Sequence, residues 1–577
     1  MATESFFSNA SLAYLASAGA GKDGKTYSIK PADGSGDFTF SRGSNLAATR
    51  VGPTGLIEKG RENLLLQSNQ FDTSPWFVTG IDTPTSGQTG YDGSSDAWTL
   101  EKNGAYAYLY QDKSISGVQT FSFYGKAGTI PQARITINTS VVNVTAAFDL
   151  ANGIDLGGSQ NITSSIESVG NGWYRCSVTY NQGTTSRFRI YPADVGGDLS
   201  GTSGSIYIQD AQVEIGLAAT DYIESGASTG KAGLLEDEPR FDYSEGATCP
   251  SLLLEPSRSN VLPYSEYFSA SDWINNGVTI TDNAAISPEG KTNAALLTGV
   301  SGGFGIVKFS TWTATNKVAS CFAKSGTGNI FKIANVSAAD RYVLFDLSDG
   351  TISEESAGWT GSIEDFGNGW YRCTAISNSE TGTFSLGTTA ASNSVYIYGA
   401  QLEAGTHPTS YIPTYGVSQT RAQDDCRKSA ITSLIGQTEG TVYWEGLIVS
   451  SPTPANIASF NYTTNSSISL ERQADGTIRA RVWNGLVPVV GIVTSGTNYN
   501  ANVKIAFAYK SGDTALYIDG LQIGTSSTAF TFSAALTEFN LGAGDVYFAN
   551  PHKSEVKQAL LFKTRLSDAD LATLTTL

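Results

Sequence analysis

At 577 residues the chain is too long for one hydrophobic core, and a prior of about 150 residues per domain suggests roughly four units. Sixty-two Gly, one Met and only 15% charged residues describe short strands joined by tight turns, an all-β chain. A net charge of −17 excludes non-specific nucleic-acid binding through clustered Lys and Arg, and no membrane insertion is expected because no run of about 18 apolar residues occurs. Met1-Ala2-Thr3-Glu4-Ser5 lacks a basic stretch leading into an apolar core, so no secretory signal is expected at that end.

In chain order, residues 1–61 carry the turn signals Lys22-Asp23-Gly24-Lys25 and Gly34-Ser35-Gly36-Asp37 around short strands. That is too little for a large core, so this attachment segment is expected to pack on the next module or on another chain. Residues 62–225 alternate apolar and polar side chains, as in Thr120-Phe121-Ser122-Phe123-Tyr124 and Ser205-Ile206-Tyr207-Ile208-Gln209. Ala151-Asn152-Gly153 and Gly196-Gly197-Asp198 separate them as turns. A two-sheet jelly-roll sandwich buries such faces most simply. Residues 226–258 form a linker in which Ser251-Leu252-Leu253-Leu254-Glu255-Pro256, stopped by Pro, reads as a short strand or ordered crossing.

Residues 259–425 repeat the module. Asn171-Gly172-Trp173-Tyr174-Arg175-Cys176 recurs letter for letter as Asn368-Gly369-Trp370-Tyr371-Arg372-Cys373, an offset of 197. Further on, Ala211-Gln212-Val213-Glu214 matches Ala400-Gln401-Leu402-Glu403 at an offset of 189, a shortening that a surface loop absorbs. Residues 430–577 differ: Gly440-Thr441-Val442-Tyr443-Trp444-Glu445-Gly446 opens a strand series, and Leu516-Tyr517-Ile518-Asp519-Gly520 ends a strand in a hairpin turn. Ser567 with Asp568 and Asp570 ahead of Leu571 and Leu574 predicts one short C-terminal helix, capped by Ser567.

Chemistry is sparse. His407 and His552 are the only histidines; neither lies near a nucleophile motif, and no GxSxG, P-loop or HExxH occurs. A glycosidase needs two carboxylates about 5–10 Å apart, but Asp96, Asp155, Asp194 and Asp198 scatter over turns, and no enzyme is expected. Glu236-Asp237-Glu238 and Asp424-Asp425 read as solvated linker charges. Five cysteines, Cys176, Cys249, Cys321, Cys373 and Cys426, form no metal or disulfide pattern and read as buried free thiols; no catalytic residue and no metal site is assigned.

One stretch suits recognition. In Ala105-Tyr106-Ala107-Tyr108-Leu109-Tyr110 a strand would put Tyr106, Tyr108 and Tyr110 on one face. Aromatic faces with polar tips fit sugar rings, and the alternative is that the phenols fill a core. The second copy runs near Phe304, Ile306 and Lys308 there, so only the first copy is expected to bind. Trp173 and Trp370, recurring in both copies, read as packing residues. Asp210 is a weak calcium candidate, because the second copy has Gly399 instead.

These motifs resemble tailed-bacteriophage virion proteins of the tail-fibre and head-fibre type, built from carbohydrate-binding-module-like jelly rolls. The resemblance rests on Asn-Gly-Trp-Tyr-Arg-Cys, Ala-Gln-Val/Leu-Glu and Ser410-Tyr411-Ile412-Pro413-Thr414. Phe38-Thr39-Phe40-Ser41-Arg42, Arg240-Phe241-Asp242-Tyr243 and Arg258-Ser259-Asn260 belong to the same pattern, over roughly residues 10–425. Residues 430–577 resemble a concanavalin-A-like (laminin-G-like) sandwich through Tyr517-Ile518-Asp519-Gly520 and the final helix. The resemblance implies a virion protein assembled in the host cytoplasm that presents β-sandwiches to host surface glycan. Other virion proteins would be its partners and a homo-oligomer, such as a trimer, its state. The alternatives are a purely structural head-fibre, decoration or tail-assembly protein and, third, a capsule depolymerase.

Overall fold

The computed structural model describes residues 2–19, 21–22, 24–43, 46–181, 183–300, 305–310, 316–335, 341–378, 382–449, 453–461, 466–485, 487–496, 499–542 and 553–576. Asp23, Phe304 and His552 lie outside the described residues. The chain is all-β: two tandem jelly-roll sandwiches and a concanavalin-A-like sandwich, with the expected C-terminal helix Asp568–Thr576. The Ser567 hydroxyl accepts the Asp570 N–H at 3.2 Å and so caps that helix. A second helix, Ala2–Asn9, was not anticipated; Phe6 from it packs with Tyr443, Tyr517, Leu571 and Leu574.

The first module pairs two six-stranded sheets. One runs Ile162–Gly170, Trp173–Tyr180, Gln119–Ala127, Gly204–Ile215, Ala97–Lys102, Thr85–Gln88. The other runs Ile154–Gly158, Asn143–Asp149, Gln132–Thr139, Thr185–Ala193, Tyr108–Ile115, Phe77–Thr79. Setting the peripheral strands aside, the first sheet takes core strands one, eight, three and six in chain order and the second takes two, seven, four and five, which is the jelly-roll order. The second module repeats this pairing strand for strand.

The repeated letters have local causes. Asn171 and Gly172 have φ of 53° and 75°, Asn368 and Gly369 of 53° and 76°. A two-residue hairpin turn with both central residues at positive φ favours Asn-Gly above other pairs. Trp173 and Trp370, just after the turn, are buried. The Glu214 carboxylate accepts the Thr220 N–H at 2.8 Å and its hydroxyl at 2.6 Å, and Glu403 holds Thr409 at 2.9 and 2.6 Å. Arg175 and Arg372 donate to the carbonyls of the same two threonines. The motif letters are thus the bracing of one exit loop, made twice.

The flanking segments correct the expectation for residues 1–61. Their strands up to Ser41 build the C-terminal sandwich rather than a separate segment on the first module, while Thr49–Val51 and Ile57–Lys59 pair with each other beside the second module. Strand Leu12–Leu15 pairs with Ser554–Phe562, and Phe38–Ser41 pairs with Asp425–Ser429. The linker does likewise: Ser251–Leu254 pairs with Ser554–Phe562. Leu12, Tyr14, Phe38, Phe40, Leu252 and Leu254 share one core with Trp444, Phe507 and Phe539. Both jelly rolls are therefore inserted into a composite base sandwich drawn from three stretches of chain.

Buried charge ties the flanking segments and the second insert together. Arg240 pairs with Glu255 at 2.7 Å and with Asp424; Arg421 reaches Glu255 at 3.0 Å and Arg42 reaches Asp424 at 3.5 Å, all in the interior. Asp424 is thus not the solvated linker charge expected, because three guanidiniums converge where four segments meet. A second network joins Lys59 to Glu266 at 2.9 Å and Glu289 at 2.6 Å, with the Tyr398, Tyr411 and Tyr415 hydroxyls donating to Glu266. Four cysteines are buried, but Cys249, on the loop before Ser251–Leu254, is exposed.

Candidate functional site

The tyrosine stripe holds over part of its length. Ala107 and Leu109 point into the core, and Tyr108 and Tyr110 lie half-buried on the opposite face of strand Tyr108–Ile115. Tyr106 is not on that strand. It sits in the preceding turn at φ 57°, 64% exposed, its N–H donated to the Leu199 carbonyl at 2.7 Å. The left-handed turn breaks the alternation that the residue pattern suggested.

Register brings further residues onto this face. Tyr110 lies opposite Phe77 on one neighbour and Arg189 on the other; Asp112 lies opposite Arg187. Arg189 and Tyr191 lie opposite Thr136 and Arg134 on strand Gln132–Thr139. The result is an aromatic–guanidinium lattice. Phe77 stacks on Tyr110 at 5.4 Å, and Tyr108 meets Tyr110 at 5.5 Å and Tyr191 at 4.9 Å. The Arg187 guanidinium lies 4.0 Å from the Tyr110 centroid and that of Arg189 4.8 Å from Tyr108, in cation–π geometry. Arg187 also holds Asp112 through two bonds of 2.5 and 2.9 Å. That hydrogen bond keeps the Asp112 carboxyl below the usual range, so it is an ionised positioning group.

Among the described residues the second copy carries no such lattice, although Lys332, at the place of Arg134, lies 4.6 Å from the Tyr342 ring centroid. Ile306 is fully buried and lies opposite Leu386, as Leu109 lies opposite Ile190. The counterparts of Tyr108 and Tyr110 are therefore Gly305 and Val307, one position off the Phe304, Ile306, Lys308 alignment. Val307 lies opposite Ile274 and Ser385, the places of Phe77 and Arg189. In the same register Thr383 and Gly387 replace Arg187 and Tyr191. A signal for this was present in the sequence: Arg187-Phe188-Arg189-Ile190-Tyr191 against Thr383-Phe384-Ser385-Leu386-Gly387 keeps the inward residues apolar and changes every outward one.

Asp210 lies on another sheet, in a bulge of strand Gly204–Ile215 at φ 52°. Gly399 occupies the same bulge at φ 63°, so the Asp/Gly exchange meets a left-handed backbone that both tolerate. Burial pushes the Asp210 carboxyl up to about 7; the Tyr91 hydroxyl donates to it at 2.9 Å, and the charges of Asp96 and Asp92 add to the rise. Among the described residues no group of three or more His, Cys, Asp or Glu is arranged to hold a metal ion. His407 is buried in the exit of the second module. Among the described residues no helix is long and apolar enough to cross a membrane.

No protein-family model and no curated protein matches the chain. Solved structures similar to it include the carbohydrate-binding module CBM40 of a Ruminococcus gnavus IT-sialidase, at 17% identity over 24% of this chain and 84% of that one, TM-score 0.22. Others are domain 4 of AbnA, a GH43 extracellular arabinanase of Geobacillus stearothermophilus in complex with arabinotriose, at 17% identity over 26% and 73%, TM-score 0.22, and a mutant of the NanB sialidase from Streptococcus pneumoniae, at 14% identity over 26% of each chain, TM-score 0.22.

Proposed function

We propose that this chain is a non-catalytic virion appendage protein of a tailed phage whose first jelly-roll module binds host surface glycan on the face of Phe77, Tyr108, Tyr110, Arg189 and Tyr191. The observation that carries the reading is the contrast between copies. Two modules of one topology keep apolar residues at the same inward positions, yet among the described residues only the first bears an aromatic–guanidinium lattice on this outer face. A fold requirement would be met in both copies, so a change of the outward residues of this face with the inward ones kept apolar supports a partner of that face. The second module then serves as a spacer locked to the base by its buried ion pairs. The virion setting is supported by the sequence resemblance, and a homo-oligomer, a trimer among the options, would multiply weak single contacts into useful avidity.

The purely structural reading has one observation behind it: the second module shows that the fold is kept without the lattice. A glycan array probed with the full chain separates the two. Binding that falls at least tenfold in Tyr108→Ala and is unchanged in Ser385→Ala supports recognition; no binding to any glycan supports the spacer reading. Release of reducing sugar from host capsule would support the depolymerase instead.

A further inference from the structure

We infer that the face on the first module selects sugars that carry a carboxylate. This rests on the glycan reading and names the class of ligand within it. The chain carries a net charge of −17, yet this face gathers Arg134, Arg187 and Arg189. Arg187 is spent: both arms of its fork hold Asp112. The other two are not. Arg189 donates one bond to the Tyr191 hydroxyl at 3.3 Å and forms no ion pair among the described residues. Arg134, half-buried opposite Tyr191, has no hydrogen-bond or ion-pair partner among the described residues.

The stacking decides what such a group recognises. A guanidinium lying over a phenol ring is held flat, with part of its rotamer entropy already lost. Its remaining N–H edge is then a preset fork for a planar carboxylate, which accepts two parallel bonds. The same stacking covers one face of Tyr108, while Phe77 and Arg187 both lie against Tyr110. The phenols thus offer edges and hydroxyls more than bare faces, which suits a polar, charged ring better than a neutral one lying flat.

The test uses the full chain, with binding to polygalacturonate oligomers and to the same oligomers after carboxyl reduction measured by calorimetry at 0.15 M ionic strength, where the Debye length is about 8 Å. The acidic oligomers should bind at least tenfold more tightly than the reduced ones. Arg189→Lys keeps a point charge but loses the fork and should erase that difference; Arg134→Gln, a second and independent variant, should shrink it. Equal affinity for both oligomers, with loss of both in Tyr108→Ala, would overturn acid selection and leave the glycan reading standing. Array binding to neutral glycans alone would do the same, and binding to nothing would overturn both.

Discussion

Phe38→Ala tests the composite base. Phe38 belongs to the first 61 residues, yet its ring is fully buried, edge-on to Tyr14 at 5.4 Å and Phe539 at 6.0 Å. Its strand lies beside Asp425–Ser429, which in turn pairs with Glu538–Leu541. Burial of a Phe side chain is worth about 1.5–3 kcal/mol. The cavity left between Tyr14 and Phe539 raises the cost of truncation to about 3–5 kcal/mol. At about 2–4 °C per kcal/mol for a unit of this size, the base transition should fall by roughly 6–20 °C. Calorimetry of the full chain reads the shift, and hydrogen exchange assigns it. Protection should drop in Glu439–Ile448 and Ser554–Phe562, strands of the facing base sheet roughly 400 and 500 residues away in sequence. Exposed Val141→Ala should stay within about 0.5 kcal/mol. A Phe38→Ala loss under about 1 kcal/mol, or one read only in the first jelly roll, would refute the composite sandwich.

Asp424→Ala leaves Arg42 and Arg240 short of a buried partner and should cost about 3–5 kcal/mol in urea unfolding. Glu58→Ala, which removes a partly exposed pair with Arg50, should cost at most about 1 kcal/mol. Asp210 has an opposite pH signature to ordinary carboxylates. Its folded value is about 7 against 3.8 unfolded, so between those values the native state binds the extra proton and stability falls as pH rises. Asp210→Asn, which keeps a residue suited to positive φ, should match the parent near pH 4 and exceed it by up to about 4 kcal/mol at pH 8. Equal pH slopes in the two proteins would contradict the buried carboxyl.

The fold was largely legible because its signals are local. Asn-Gly turns, alternating strands, the Asp519-Gly520 hairpin and the Ser567 cap each need only a few neighbouring residues, and Asp519 and Gly520 do lie at φ 47° and 81°. Long-range pairing was not legible. Nothing near Leu12 or Phe38 states that their partners lie beyond residue 420, and Asp424 reads as a surface charge until Arg42, Arg240 and Arg421 are brought to it. The site falls between these cases. Tyr108 and Tyr110 were visible from alternation alone, Tyr106 was lost to a left-handed turn, and Phe77, Arg134, Arg189 and Tyr191 joined only through strand register.

The repeat makes the central claim countable. If the lattice is the binding face, each full-length chain has one site, because Gly305, Val307, Ser385 and Gly387 stand where the first copy has Tyr108, Tyr110, Arg189 and Tyr191. Calorimetric titration with a glycan found on the array should give one site per chain, abolished by Tyr108→Ala with Tyr110→Ala. Two sites per chain, or one that survives that double substitution, would contradict the account.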